Sequence, residues 1–282
     1  MRKIGDILPR FKLQQGDDLQ WIKTLFLVIL LADVINDPFH WAKFPLVFSL
    51  FLGIVSSKKI LNHPLYWCIL LIFLPFVKVN YAVAANHHFL EFYFIVVFML
   101  QTTLHENFTY IKTIFKWMFS LLMGIACMYK LATPEVLNGS SYHLMWATGH
   151  MFEHLSTFLM DDYTSIVEEN RAMLSLLQND YSQNSTRLLS GSEILPGLFF
   201  FYAWIIILFE LVLVFIFWTP HKLLAQALTL IFVLFVPLAT WESTFLCLVA
   251  LLAMGQTETK KSFFYSLFSS IILIYISIIF KT

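Results

Sequence analysis

Long runs of apolar residues, separated by shorter polar segments, fill most of the chain. About 20 apolar residues suffice for a helix to cross the hydrocarbon core of a bilayer. Helices are expected because a lipid-exposed backbone must satisfy its own hydrogen bonds. The pattern predicts an all-α, polytopic transmembrane helical bundle with about nine spans. The predicted spans are residues 21–36, 44–57, 65–83, 88–104, 113–131, 195–218, 222–239, 241–255 and 262–280.

Polar stretches divide this predicted bundle into a tail, a membrane domain and an insertion. Residues 1–20 form a polar N-terminal tail without the apolar region and cleavage site of a signal peptide. Residues 21–282 are expected to form a single transmembrane helical domain. An outer segment, 131–194, is inserted between spans five and six. Its first part, 141–160, has apolar residues at helical spacing, which indicates a helix along the membrane surface.

The basic residues orient the predicted spans. If the N-terminus is inside and the spans alternate, twelve of the eighteen lysines and arginines fall on the inner side. The tail and the short loops supply most of this bias, and the positive-inside rule applies to such segments. We therefore expect an N-in, C-out topology with the segment 131–194 facing outward. The second and eighth spans are short, and whether they cross fully is left open.

The composition indicates an integral, multi-pass membrane protein. The chain is 59% hydrophobic and 13% charged, whereas about a quarter of the residues in a soluble domain are charged. The formal net charge is zero, so nothing indicates a nucleic-acid partner. Cys68, Cys127 and Cys247 lie within apolar runs and are expected to be core residues rather than a disulfide framework.

The outer segment contains one pattern known from metal sites. His150, Glu153 and His154 fit His-x-x-Glu-His, the inverted zinc-peptidase pattern. On a helix the two histidines would share a face and could hold zinc, with Glu153 as the base. The pattern is short enough to arise by chance, and no third ligand is evident beyond His143. We therefore predict no metal here, and prefer the interpretation that these histidines lie near the lipid headgroups.

Ionisable residues inside predicted spans are the first candidates for functional groups. At mid-bilayer each costs about 2.5–3.5 kcal/mol even on lenient scales. They are Asp33, Glu91 and Glu210, with Lys78 and Glu242 near span ends. Two interpretations of Glu210 stay open: a protonated acid hydrogen-bonded to a neighbouring helix, or a partner for Lys130 or His87.

The fourth predicted span begins with two histidines beside a glutamate. His87 and His88 precede Glu91 by four and three residues, so both share its helical face. A carboxylate favours the charged imidazole and burial opposes it, and either outcome suits a proton-handling pair. The alternative is an ordinary helix N-terminus, with Asn86 as the cap and histidines at headgroup level.

Lys130 ends the apolar run of the fifth predicted span. In one interpretation its ammonium snorkels to the interface. In the other it is partly desolvated, and acts as a base because desolvation favours the neutral amine.

Two short blocks carry a resemblance to a known family. Residues 86–90 (NHHFL) resemble the Asn-His-x-aromatic-Leu stretch of the vitamin K-dependent gamma-glutamyl carboxylases. The same stretch occurs in their bacterial relatives, the horizontally transferred transmembrane (HTTM) domain proteins. Residues 129–131 (YKL) and 134–139 (PEVLNG) are similar to the family's Lys-Leu-x-x-x-Trp-x-x-Gly stretch, with Val136 or Leu137 in place of the tryptophan. The order of the blocks and the span count extend the likeness over most of the chain.

The resemblance implies roles for particular residues. Lys130 matches the lysine that deprotonates vitamin K hydroquinone, and His87 matches a histidine that acts close to the carbanion formed on the substrate glutamate. The residues expected to support this pair are Asn86, Glu91, Glu210 and Tyr129. The carboxylases also have a large soluble C-terminal region, so a soluble partner protein is expected to supply it. The bacterial relatives favour a bacterial inner membrane over the endoplasmic reticulum.

Two hypotheses of different classes follow. The first is an integral membrane enzyme of the vitamin K-dependent carboxylase-like/HTTM class, a lyase. It would act on a lipid-soluble quinol or a peptide substrate by lysine general-base chemistry in an outward-opening pocket, and a reduced quinone of the vitamin K type is the cofactor it implies. The second is a non-catalytic membrane protein: a transporter, a lipid binder or an immunity protein against a membrane-active peptide.

Overall fold

The computed structural model describes residues 15–36, 41–55, 58–78, 86–104, 108–179, 195–239 and 243–256. Within these ranges every regular element is an α-helix and there is no strand, which confirms the all-α prediction. The helices are α1 (Gln15–Asn36), α2 (Lys43–Val55), α3 (Lys58–Leu61), α4 (Pro64–Lys78), α5 (Asn86–Leu104), α6 (Phe108–Ala132), α7 (Pro134–Leu137), α8 (Ser140–Ala147), α9 (Glu153–Leu159), α10 (Tyr163–Asn179), α11 (Leu195–Ile216), α12 (Lys222–Ala239) and α13 (Ser243–Gln256).

Eight of the nine predicted spans correspond to helices of the structure. The ninth, 262–280, lies outside the described residues, as does most of the tail 1–20. In the described part of the chain, two helical segments are long and apolar enough to cross a membrane: Tyr110–Ala132 within α6, and α11. The apolar parts of α2, α4, α5, α12 and α13 are shorter. The nine-span count and the N-in, C-out topology therefore stay predictions.

Apolar side chains line the outer surface of several helices. The exposed side chains of α2 recur at helical spacing and include Phe44, Phe48, Phe51 and Val55. A longer exposed stripe follows one face of α11: Leu198, Phe201, Ile205, Leu208, Val212 and Phe215. Continuous exposed apolar patches mark surfaces that meet lipid or a protein partner. Together with the two long apolar helices, these stripes indicate association with a membrane.

The helices belong to two compact units, which are described separately. The first contains residues 1–115 with 254–257, and the second contains 116–253 with 258–282. The boundaries fall within α6 and α13, so each of these continuous helices contributes to both units. The single membrane domain expected over 21–282 stays a prediction.

Aromatic packing forms the core of the first unit. The Phe26 ring stacks on Phe94, with 5.1 Å between centroids, and Trp67 packs 4.9 Å from Phe98. These residues join α1, α4 and α5 and are almost fully buried. Large rings therefore hold together helices that carry few polar groups.

A buried lysine joins the beginning of α1 to the turn before α4. The Lys23 ammonium donates hydrogen bonds to the Leu61 carbonyl oxygen at 3.1 Å and to Asn62 Oδ1 at 3.2 Å. It also lies over the rings of Trp67 and Phe98, 5.8 and 6.0 Å from their centroids. Such cation–π contacts partly replace the hydration that burial removes.

In the second unit, part of the segment 131–194 folds into packed helices. Helices α7 and α8 pack against α11, and α10 packs against α8 and α9. The Tyr163 hydroxyl donates to the Trp146 carbonyl at 2.8 Å, and Trp146 Nε1 donates to Ser156 Oγ at 2.8 Å. Residues 141–160 are thus helical as predicted, but they form two helices joined by a turn. Residues 180–194 lie outside the described residues.

Gly139 allows α8 to pack closely on α11. It precedes α8 with a φ of 79°, in the left-handed region. A Cβ atom there would lie 2.5 Å from the Phe200 backbone nitrogen and 2.6 Å from the Phe199 carbonyl carbon. This glycine is also the one that the family pattern matched.

We expect Gly139→Ala to destabilise the second unit. The left-handed backbone alone costs a non-glycine residue about 1–2 kcal/mol, and the close backbone contact adds to it. Gly197→Ala is the matched control, because a Cβ at Gly197 would have nothing within 4 Å. Thermal unfolding in detergent should show a lower midpoint for Gly139→Ala alone. Equal midpoints would contradict the close approach.

The predicted topology can be tested with two exposed positions, Lys59 and Asp161. In an N-in protein, Asp161→Cys should react with a membrane-impermeant maleimide on intact cells or right-side-out vesicles. Lys59→Cys should react only after permeabilisation. The unsubstituted chain gives the background from its own cysteines, two of which are buried. The reverse labelling pattern would contradict the N-in assignment.

Candidate functional site: a buried lysine–glutamate pair

Helices α6 and α11 run antiparallel and are joined by polar contacts. Ser120 Oγ donates to the Val214 carbonyl at 2.7 Å and accepts from Trp218 Nε1 at 2.7 Å. Further along, Cys127 Sγ lies 3.9 Å from the Ile207 carbonyl oxygen. Between Ser120 and Cys127, seven residues along α6, the contacting residue on α11 moves back by seven, from Val214 to Ile207. This correspondence fixes the register of the two helices.

This register places Lys130 and Glu210 within reach of each other. Lys130 lies in the last turn of α6. Glu210 lies on the buried stripe of α11, in line with Ala203 and Ile207. Side chains lean toward the N-terminus of their own helix. Because the helices are antiparallel, the lysine leans inward along α6 and the glutamate leans toward it along α11.

The two side chains form a bidentate ion pair. Lys130 Nζ donates to Glu210 Oε1 at 2.7 Å and to Oε2 at 2.9 Å. The lysine side chain is 21% exposed and the glutamate side chain 7%. The ammonium is therefore directed at a buried carboxylate rather than at headgroups. Of the two interpretations of Glu210, the structure shows the partner of Lys130.

An aromatic cluster that the sequence did not single out lies near the glutamate. The Tyr142 and Tyr202 rings meet edge to face, 5.2 Å between centroids, and Phe152 packs 5.4 Å from Tyr202. Burial and the negative charge of Glu210 raise the pKa of Tyr142, in α8, to about 12. Its hydroxyl thus stays protonated near neutral pH and remains a hydrogen-bond donor. Tyr202 precedes Glu210 by eight residues, a helical spacing that could have indicated the shared face.

His143 lies beside this cluster in a fully aromatic environment. Its ring stacks on Phe199 and Trp146, with centroids 5.8 and 6.1 Å away. Burial lowers the pKa of His143, so the imidazole is neutral at neutral pH. Among the described residues its Nε2 has no hydrogen-bond partner. His143 therefore belongs to the aromatic core of the second unit.

The helical arrangement that a zinc site would need is absent from the His150–His154 stretch. Helix α8 ends at Ala147, and α9 begins only at Glu153. Between them Gly149 and Phe152 both have positive φ, 74° and 53°. His150 therefore does not share a helical face with His154, and the reason for considering zinc was wrong. No group of three or more possible ligand side chains occurs within the described ranges.

Other predicted site residues lie apart from the pair or outside the description. Tyr129, next to Lys130 in the chain, is 68% exposed. Asn86 and His87 begin α5 in the first unit, but their side chains are outside the described residues. Their catalytic and supporting roles stay predictions. His88 is buried, so it does not face the headgroups.

A second buried charge cluster, in the first unit, combines residues that the sequence had left separate. Asp33 of α1 pairs directly with Lys78 of α4. Lys78 Nζ also lies 3.7 Å from Glu91 Oε2 of α5. Glu91 was expected to interact with the adjacent histidines, and the lysine from α4 was missed. Lys78 lies near the end of the third predicted span, and Glu91 lies near the beginning of the fourth. Consecutive spans run antiparallel, so this placement could have indicated that the two side chains lie close together.

Comparison of the chain with protein-family models, curated proteins and solved structures finds no match. The resemblance to the carboxylase and HTTM family thus rests on the two sequence blocks.

The Lys130–Glu210 pair should show strong energetic coupling. Glu210→Gln or Lys130→Met leaves one buried charge without its partner, which typically costs about 3–5 kcal/mol. The double variant removes both charges and should recover much of this loss. Thermal unfolding of the four proteins in detergent gives the coupling as a double-mutant cycle. Additive losses would contradict a direct contact, and exposed Glu135→Gln serves as the control.

Proposed function

We propose that the chain is an integral membrane enzyme of the carboxylase-like/HTTM class, with Lys130 and Glu210 forming its acid–base site. The observation that carries the proposal is the bidentate contact of these two side chains, at 2.7 and 2.9 Å, within apolar helices. Lys130 is also the residue that the family pattern matched. The substrate is a lipid-soluble molecule with an acidic hydroxyl group, such as a quinol.

In the proposed reaction, one member of the pair accepts the proton and the other stabilises the resulting negative charge. The resemblance implies Lys130 as the base, but this lysine donates to the Glu210 carboxylate, so the base proposed here is Glu210. Glu210 takes the proton when the substrate O–H bond breaks, and the electron pair stays on the substrate oxygen. The ammonium of Lys130 then stabilises the oxyanion. Charge stabilisation of this kind is strongest where water is excluded.

The surroundings of the pair suit an aromatic, lipid-soluble substrate. Tyr142, which lies close enough to Glu210 for its charge to raise the tyrosine pKa, packs edge to face against Tyr202, and Phe152 packs against Tyr202. The protonated Tyr142 hydroxyl is available as a second donor to a developing oxyanion. The ammonium is the more exposed member of the pair, so a substrate hydroxyl reaches Lys130 first.

The test is the turnover of a reduced vitamin K-type quinone by the purified protein in nanodiscs, with oxygen and a glutamate-containing peptide. Lys130→Met and Glu210→Gln should each lower quinol consumption by about 10²–10⁴-fold, the usual contribution of a positioned acid or base. Met128→Leu, on the exposed face of α6, is the matched control and should keep full turnover. His87→Ala reports separately whether the predicted histidine takes part.

Two outcomes would contradict the enzyme proposal. Full turnover in both Lys130→Met and Glu210→Gln would remove the pair from the chemistry. Quinol binding that the pair variants weaken, without turnover in any protein, would instead support the non-catalytic alternative, a lipid binder.

A further inference from the structure

Helix α9 presents an apolar face on the surface of the second unit. Leu155, Phe158 and Leu159 stand at positions i, i+3 and i+4, so they share one side of the helix. Phe158 is 84% exposed, Leu159 67% and Leu155 46%. The exposed polar residues Glu153 and Thr157 lie on the opposite side. The helix is therefore amphipathic, and both its apolar and its polar face lie at the surface of the chain.

Neighbouring helices hold α9 in this orientation. Trp146 Nε1 donates to Ser156 Oγ at 2.8 Å, which joins the buried edge of α9 to α8. Helix α9 also contacts α12, whose surface residues include the exposed Leu223 and Ile231. The apolar face of α9 thus adjoins a helix that is itself apolar at its surface.

A row of aromatic rings leads from α9 toward the charge pair. Phe152 immediately precedes α9 and packs 5.4 Å from Tyr202, which packs 5.2 Å from Tyr142. Tyr142 in turn lies close enough to Glu210 for its charge to raise the tyrosine pKa. Phe152 has a φ of 53°, which is unfavourable for a bulky residue. Such a conformation persists where the surrounding structure determines it, so the beginning of α9 is fixed against the aromatic cluster.

We propose that α9 inserts its Leu155–Phe158–Leu159 face among the acyl chains of the bilayer beside α12, and so forms the lipid-side opening of the aromatic cluster. The insertion does not depend on the activity of the Lys130–Glu210 pair. The passage of a quinol through this opening rests on the proposed function.

The size and polarity of α9 favour lipid over a protein partner. Three apolar side chains are far fewer than the roughly 20–30 residues that each side of a stable protein interface contributes. An amphipathic helix, by contrast, binds a bilayer by burying its apolar face about 5–10 Å into the boundary between headgroups and acyl chains. In that orientation Glu153 and Thr157 face water, and the exposed Asp161 and Asp162 follow the helix outside the acyl region.

Nitroxide labels on the full-length protein in phosphatidylcholine nanodiscs measure the insertion. Cys127 and Cys247 are buried, so a Cys68→Ser background limits labelling to the added cysteine. A label at Phe158→Cys should collide more often with oxygen, which concentrates among acyl chains, than with a water-soluble nickel chelate. The matched label at Thr157→Cys, on the polar face, should show the reverse. Equal nickel access at both positions overturns the insertion, and a label at Phe158→Cys that is immobile and shielded from both reagents overturns it in favour of a protein partner or a second copy.

Kinetics with two quinols test the opening. Phe158→Ser should raise the KM for a long-tailed quinol dissolved in the bilayer severalfold and leave kcat unchanged, because the residue lies outside the acid–base pair. The KM for a short-chain, water-soluble quinol should not change. Ile125→Ser, at a position of α6 that is 68% exposed, is the control and should keep both KM values. An unchanged KM for the long-tailed quinol, or an equal rise for both quinols, overturns the opening. Absence of turnover in the wild type contradicts the proposed enzyme instead, and the labels still decide the insertion.

Discussion

The cost of placing charge in an apolar environment is the constraint on which the arrangement of the helices depends. An unpaired ion in hydrocarbon costs several kcal/mol even after relaxation, more than most single contacts between helices contribute. Lys130 therefore meets Glu210, and Lys78 meets Asp33. Each contact also fixes helix direction. Lys78 and Asp33 lie at the C-terminal ends of α4 and α1, so those helices run the same way.

The same constraint explains the two faces of α11. One face carries large apolar side chains at the surface, and the other buries Phe199, Ala203, Ile207 and Glu210. The small Ala203 and the close approach at Gly139 let α7 and α8 lie against this inner face. Tyr142 of α8 thereby lies close enough to Glu210 for the charge of the carboxylate to raise the tyrosine pKa. Helices α7 and α8 thus help to form the surroundings of the charge pair.

Hydropathy predicted most helices, because a bilayer-length apolar run has few other stable conformations. It did not place their ends well: α1 begins at Gln15 and continues through the polar residues that were expected to form the tail. Pairing was less predictable still. Lys130 and Glu210 are 80 residues apart, so the sequence could only nominate them as alternatives. The single helix considered through His150 and His154 was wrong, because periodicity does not reveal a left-handed residue such as Phe152.

The two charge clusters meet the same constraint with different helix partners. In the second unit, Lys130 and Glu210 join antiparallel helices as one lysine with one carboxyl group. In the first unit, Lys78 lies against two carboxyl groups, in direct contact with Asp33 and 3.7 Å from Glu91. Under the proposed function the one-to-one pair suits catalysis on an acidic hydroxyl, because the ammonium can stabilise the oxyanion once the carboxylate has taken the proton.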